Sequence, residues 1–257
     1  MNQAPRDAQW QLLVDAASAP YRSAGRFAWH FARGKLRIDP VFRYLLKQGL
    51  IAPRARVLDI GCGQGLLASL LGSASALDQQ GRWPTGWARA PRDSRVTGIE
   101  MMPRDVARAR AALGDRAEFV CGDMRSTAFP RADTVVILDV LHYVRPHEQD
   151  DVLVRVREAL HDSGLLLLRI GDAAARRGFR VSQWVDRIVT LVRGHRVVPQ
   201  FGRPLAQWIA RLETLGFAVQ SQPMSEGTPF ANVLLIAHVG NRVDTAEASG
   251  AAAGAPP

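Results

Sequence analysis

A chain of 257 residues with 47% apolar residues holds one large α/β domain with additions, or two small domains, and has enough apolar content for a full core. The formal charge of +9 is nearly all arginine, with Lys35 and Lys47 as lysines. The arginines are scattered along the chain, so solvated faces lead over a nucleic-acid surface or an acidic protein partner. Two cysteines, Cys62 and Cys121, exclude a disulfide framework and a metal set. No apolar run has the length of a membrane span, and the start of the chain does not read as a signal peptide, so a cytoplasmic protein is expected.

In chain order, residues 5–19 fit an amphipathic helix with Trp10, Leu13, Val14 and Ala17 on one face, ended by Pro20. Residues 21–31 mix aromatic and basic side chains, and helical periodicity resumes over 40–49. An apolar strand over 56–60 then breaks into Gly61-Cys62-Gly63-Gln64-Gly65, and an apolar run from 66 to 71 suits a helix. Strand, glycine turn and helix together present backbone N–H groups to a ligand, and the glycines let it approach the backbone. Asp59, just before the turn, would repel a pyrophosphate but attract an ammonium group. A dinucleotide site needs G-x-G-x-x-G, and here the third glycine comes one residue early. A tight turn without a ligand is the plainer alternative.

This stretch resembles motif I of the class I S-adenosylmethionine (SAM) methyltransferases. The resemblance implies a Rossmann-like, doubly wound α/β sheet of seven strands, mostly parallel with an antiparallel C-terminal strand. It implies SAM as cofactor and S-adenosylhomocysteine as product, with Asp59, Gly61, Cys62, Gly63 and Gly65 at the amino-acid end of SAM. N-terminal helices in this family often form a lid, so residues 1–53 are expected as a helical cap whose Tyr21, Arg22, Trp29 and His30 border the substrate pocket. A plain packing layer is the other reading of these helices.

Residues 78–94 depart from the family spacing and read as an inserted surface loop, with Trp83 and Trp87 exposed to cover a pocket or meet a partner. The second strand spans 95–99 and ends at Glu100, where a carboxylate can accept both ribose hydroxyls of an adenosine. Asp78 competes for that role but follows no strand-like run. Met101 and Met102 resemble the apolar residues that pack on the adenine. A helix over 103–113 opens with proline and closes at Gly114. The third strand, 117–121, leads to Asp123 and Met124. In the family an acid there meets the adenine amino group, whereas taken alone Asp123 reads equally as a turn former.

The fourth strand, 133–138, exits into Asp139-Val140-Leu141-His142-Tyr143, similar to motif IV of small-molecule methyltransferases. Asp139 is counted with the cofactor residues and Tyr143 with the pocket. Two familiar nucleic-acid signatures, an Asn/Asp-Pro-Pro-aromatic run and a Pro-Cys pair, are absent, so nucleic acid is disfavoured. His142 is the candidate general base, because its pKa lies near working pH; shaping the pocket is its other reading. A helix over 146–160, an apolar fifth strand over 165–170, a cap helix over 181–192 within residues 171–202 and a helix over 204–215 follow. Strands over 217–221 and 233–239 close a domain spanning 54–240, and residues 241–257 read as a disordered tail.

The expected activity is methyl transfer to a small apolar or aromatic acceptor, through a hydroxyl or carboxyl oxygen. The chain also resembles, loosely, methyltransferases of bacterial aryl-polyene and fatty-acid-type pathways. That implies an acceptor carried on an acidic acyl carrier protein, with Arg22, Arg26 and Arg33 as contacts. The alternatives are an RNA or protein methyltransferase, and a SAM-binding protein without catalysis.

Overall fold

The computed structural model describes residues 4–171, 201–224 and 232–240, with side chains from residue 8 onward. The expected cap helix over 181–192, most of the loop before the last strand and the C-terminal tail lie outside the described residues.

Seven strands form one sheet in the order β3-β2-β1-β4-β5-β7-β6. They are β1 (Arg56–Ile60), β2 (Arg95–Glu100), β3 (Glu118–Cys121), β4 (Ala132–Leu138), β5 (Leu160–Gly171), β6 (Phe217–Pro223) and β7 (Asn232–Val239). β1 pairs in parallel with β2 and β4, β2 with β3, and β4 with β5, while β7 runs antiparallel between β5 and β6. This is the expected mostly parallel sheet, and its one reversed strand is the C-terminal β7, next to the edge strand β6. The chain crosses from one half of the sheet to the other between β1 and β4, which opens a crevice at the carboxyl ends of those strands. β1 supplies the glycine turn to that crevice and β4 supplies Asp139.

Both faces of the sheet are covered, so the central strands are continuously apolar. Val135, Val136 and Ile137 of β4 and Leu166, Leu167 and Leu168 of β5 are fully buried. On one face, α1 (Ala4–Ser18), α2 (Arg26–Ile38), α3 (Pro40–Lys47), α4 (Leu66–Gln79) and α5 (Pro103–Leu113) share a core with Val57, Val136 and Leu167. On the other, α6 (Pro146–Ala159) and α7 (Leu205–Thr214) cover Leu58, Val135 and Leu166. The N-terminal helices therefore complete the main core. Their α1 face was legible from Trp10, Leu13, Val14 and Ala17, all buried. α2 was not expected as a helix, although Ala28, Ala32 and Leu36 form one buried stripe along it.

One expectation is corrected here. Trp83 and Trp87 are half-buried rather than exposed. Trp83 donates from its indole N–H to the Ala88 carbonyl (2.8 Å), and the two rings meet edge to face at 5.6 Å. Trp87 lies 6.3 Å from Trp10 of α1. Large aromatic surface is stabilised more by this packing than by exposure in a loop. α4 also runs on to Gln79, and Asp78 near its end pairs with Arg92, so Asp78 sits at the end of α4 away from the glycine turn. Among the described residues no helix is long and apolar enough to cross a membrane.

Candidate cofactor and reaction site

The glycine turn is held by strands that flank it. Gly61 and Cys62 donate their N–H groups to the Ile99 carbonyl at 2.8 and 3.2 Å. Gly61, Gly63 and Gly65 have φ of 76°, 56° and 79°, in the left-handed region that disfavours side chains. A Cβ at Gly61 would lie 2.5 Å from a Val140 methyl, and one at Gly65 would lie 2.7 Å from the Phe119 ring. The turn thus brings the backbone against the residue that follows Asp139 and against β3. Gly65 then opens α4.

Glu100 at the tip of β2 closes the other side. One carboxylate oxygen accepts from the Gly63 N–H at 3.0 Å, and the other accepts from the Met102 N–H at 2.8 Å. Each oxygen keeps lone-pair capacity for a further donor such as a hydroxyl. Met101 beside it is 56% exposed, an unusual position for a large apolar side chain and one that suits a flat ligand. Asp59 is buried under the turn, and burial together with the nearby Glu100 charge pushes its pKa up to about 7. The buried Asp59 carboxylate beside the half-buried Glu100, with no guanidinium among the described residues acting on it, makes a site that favours a cation. A sulfonium with an ammonium group and a ribose diol fits these residues.

Cys62 is buried, and burial followed by the charges of Asp59 and Glu100 raises its thiol well above the ordinary range. It packs where a Cβ on Gly98 would fall 2.6 Å from its sulfur, so it acts here as a small apolar residue. Asp123 is engaged by Arg125, which donates through its backbone N–H (2.9 Å) and its guanidinium (2.6 to 3.1 Å). Hydrogen bonding from Arg125 lowers the Asp123 pKa. Met124 is half-buried, and its carbonyl accepts from Arg155 at 2.7 Å.

At the exit of β4, Asp139 adopts φ 59°, which aspartate tolerates better than most residues. Its carboxylate is gripped by Arg169 of β5, with Nε to Oδ1 at 2.8 Å and a second, shorter bond from Nη2. Arg169 is 1% exposed in its side chain and also binds both oxygens of Asp39. Asp39 caps α3 by accepting from the Val41 N–H at 3.1 Å, and Lys35 reaches it at 2.8 Å. Burial alone would raise the Asp39 pKa, but Arg169 and Lys35 hold it well below the usual carboxylate range. This cluster ties the α2–α3 junction to the residue at the exit of β4. The sequence reading missed it. The signal was a lone arginine in the run Leu165-Leu166-Leu167-Leu168-Arg169, since arginine is rarely buried unless paired.

His142 lies on a 3₁₀ turn, Leu141–Tyr143, with its ring 4.1 Å from that of Tyr143. Burial lowers its pKa below 6.5, so the imidazole is neutral at pH 7 and can accept a proton. Gln149 of α6 fixes this turn. Its side-chain amide donates to the carbonyls of Leu141, Val144 and Phe201 at 2.9 to 3.1 Å, and the Phe201 N–H donates to the His142 carbonyl at 2.7 Å.

The four cap residues expected at the pocket differ in placement. Tyr21 is fully buried and donates its hydroxyl to the Gln64 carbonyl of the glycine turn at 2.9 Å. Gln64 in turn donates to the Ala28 carbonyl of α2 at 2.8 Å. Trp29 is half-buried with the Arg22 guanidinium 5.2 Å from its ring, and His30 is exposed with its ring 4.5 Å from Trp29. The cap therefore reaches the glycine turn through Tyr21, Gln64 and Ala28. Among the described residues no cluster of three His, Cys, Asp or Glu could hold a metal ion.

Residues 79–164, from the end of α4 into β5, match the model of a methyltransferase domain family. The carboxy-S-adenosyl-L-methionine synthase of Chromohalobacter salexigens is 33% identical over 130 residues, which cover 47% of this chain and 43% of that protein. The synthase of Shewanella oneidensis is 26% identical over 123 residues, 46% of this chain and 45% of that protein. The match thus spans less than half the length of these curated relatives. Among solved structures, human N-acetylserotonin methyltransferase in complex with SAM aligns with a TM-score of 0.57 at 17% identity, covering 82% of this chain and 54% of that one. Magnesium protoporphyrin IX methyltransferase from Synechocystis with bound S-adenosylhomocysteine aligns at 0.54 and 20%, covering 83% and 88%. The mitomycin 7-O-methyltransferase aligns at 0.54 and 23%, covering 81% and 56%. Residues 79–164 thus match a methyltransferase domain family, and the seven-stranded sheet shares its fold with these methyltransferase structures.

Proposed function

We propose that this protein is a SAM-dependent methyltransferase acting on a small apolar or aromatic acceptor, through a hydroxyl or carboxyl oxygen. The observation that carries the reading is Glu100, bonded to Gly63 of the glycine turn beside the buried Asp59. SAM, when bound, supplies a methyl group activated on a sulfonium. The chain's own residues bind and orient it: Asp59 offers negative charge to its cationic end, Glu100 accepts from the ribose diol, and Met101 and Met102 offer apolar surface to the base. Asp123 would meet the adenine amino group, in competition with Arg125. The protein's larger contribution is to position two reactants and exclude water. A cytoplasmic setting suits its two free thiols.

Titration with S-adenosylhomocysteine tests the cofactor. Micromolar binding, about −8 kcal/mol, lost in Glu100→Ala supports the assignment. A folded wild type that binds nothing overturns it.

We assign His142 as general base for a phenol or alcohol acceptor. Its lowered pKa keeps the imidazole unprotonated, so the acid limb of kcat should lie below pH 6.5. His142→Gln should lower kcat by about 10²–10⁴ with unchanged affinity for S-adenosylhomocysteine. An unchanged kcat on a hydroxyl acceptor would remove the base assignment. For a carboxylate acceptor, which needs no base, His142→Gln should have little effect.

A second reading comes from the synthases that the chain matches, whose name says that they make carboxylated SAM. Mass spectrometry of SAM incubated with a hydroxyl acceptor, and separately with a decarboxylating carboxylic acid as carboxyl donor, separates the two: S-adenosylhomocysteine and a methylated acceptor support transfer, and a SAM that has exchanged a methyl proton for the donor's carboxyl group supports the second reading.

A further inference from the structure

Between the N-terminal end of α2 and the outer face of α5 runs an open groove of about 520 Å³, apart from the site described above. Arg104, Ala107, Arg108 and Ala111 line it at helical spacings of three and four, so they share one face of α5. Arg26 and Phe27 line it from α2. Among the described residues no carboxylate lines the groove, and the first turn of α2 contains no acid. Arg108 is held by Asp105 at 2.9 Å, whereas Arg26 and Arg104 form no ion pair with a described carboxylate. Phe27 is 42% exposed. The groove thus joins uncompensated positive charge to an exposed aromatic side chain and a shallow alanine floor.

Those features select the occupant. An acidic amphipathic helix brings carboxylates to Arg26 and Arg104 and an apolar ridge to the alanines and Phe27. A nucleic-acid strand would need free ring faces on which to stack. Phe27 already has Phe31 stacked at 6.1 Å and the Arg108 guanidinium 4.7 Å from its ring centre. The location adds a reason. α5 begins directly after Glu100, Met101 and Met102, so the Arg104 end of the groove opens toward the cofactor end of the sheet. A partner docked there holds its cargo beside the reaction crevice.

We propose that this groove docks the acidic helix of a carrier protein that presents the acceptor, an inference that rests on the methyltransferase reading. The test uses the full chain and a purified acidic acyl carrier protein as probe, with binding followed by fluorescence anisotropy. A single-stranded RNA 12-mer is the second probe. Arg104→Glu/Ala107→Glu changes two exposed positions, and Arg95→Glu, at the opposite end of β2, controls for general charge. Carrier binding that falls at least tenfold in the double variant, is kept in Arg95→Glu and weakens with salt supports the proposal. Equal weakening in both variants, no carrier binding by the wild type, or RNA bound more tightly than the carrier and lost in the double variant overturns it. S-adenosylhomocysteine titration of the same proteins separates this failure from failure of the cofactor assignment, because the groove variants should bind it as the wild type does.

Discussion

Asp59→Asn is expected to stabilise the ligand-free protein above pH 7 and to weaken cofactor binding at the same time. The native pKa of Asp59 is raised from 3.8 to about 7, by burial first and by Glu100 second. The folded state therefore holds a proton between those values that the unfolded state has released. Its contribution to stability is fully present below pH 4 and is lost as pH rises through 7. Above pH 7 the ligand-free fold carries an ionised carboxylate buried beside another. Asparagine removes that charge, so the variant should be more stable at pH 8 by on the order of 2–4 kcal/mol, with the gain shrinking toward pH 4. A cationic ligand reverses the preference, since it stabilises ionised Asp59 and releases the proton on binding. Wild-type affinity for SAM should rise between pH 6 and 8. In the variant it should fall by about thirtyfold, near 2 kcal/mol, and lose most of that pH dependence. Thermal melts with and without SAM at pH 5 and pH 8 check both halves. A variant less stable than the wild type at pH 8 would show that Asp59 is compensated within the fold.

Arg169→Met should be the most destabilising single change outside the apolar core. The guanidinium is buried against Asp39 and Asp139, with Lys35 as the only other cation in the cluster among the described residues. Its removal leaves two carboxylates facing each other across the α2–α3 junction and β4. Breaking a buried pair in this way costs about 3–5 kcal/mol, measured by urea unfolding at pH 7. Adding Asp39→Asn and Asp139→Asn to Arg169→Met should recover much of the loss, because the cost comes from unpaired charge. In the wild type, the part of stability that depends on ionised Asp39 is present above its unfolded pKa near 4 and disappears as pH falls below that. The same variant should lower kcat more than it raises the dissociation constant for S-adenosylhomocysteine. Arg169 acts by positioning Asp139 and the turn that carries His142, not by touching the glycine turn. A variant as stable as the wild type would mean that solvent compensates the cluster.

Much of the architecture was legible because it rests on local patterns. Period-two and continuous apolar runs marked all seven strands, with boundaries shifted by a few residues. The glycines at 61, 63 and 65 announced a turn that their positive φ values explain. Glu100 was legible because the end of the second strand in such a unit is a fixed place in the topology. The missed features all depend on distant partners. Trp83 and Trp87 looked like loop residues until α1 brought Trp10 against them. α2 is strongly amphipathic, but two of the three residues on its buried stripe, Ala28 and Ala32, are small, and packing against α1 decides their burial.

By itself the sequence determined the strand order of hydrophobic runs, the glycine turn and the acids before and after it, since backbone sterics and burial act on neighbouring residues. Only the tertiary structure decided which charges compensate one another. Asp123 faces Arg125, Asp139 and Asp39 share Arg169 across as many as 130 positions in sequence, and Asp59 lies near Glu100 with no compensating cation among the described residues. The energy of a charge depends on what lies within a few ångströms and on how much water is excluded, and both are set when the sheet and its covering helices close together.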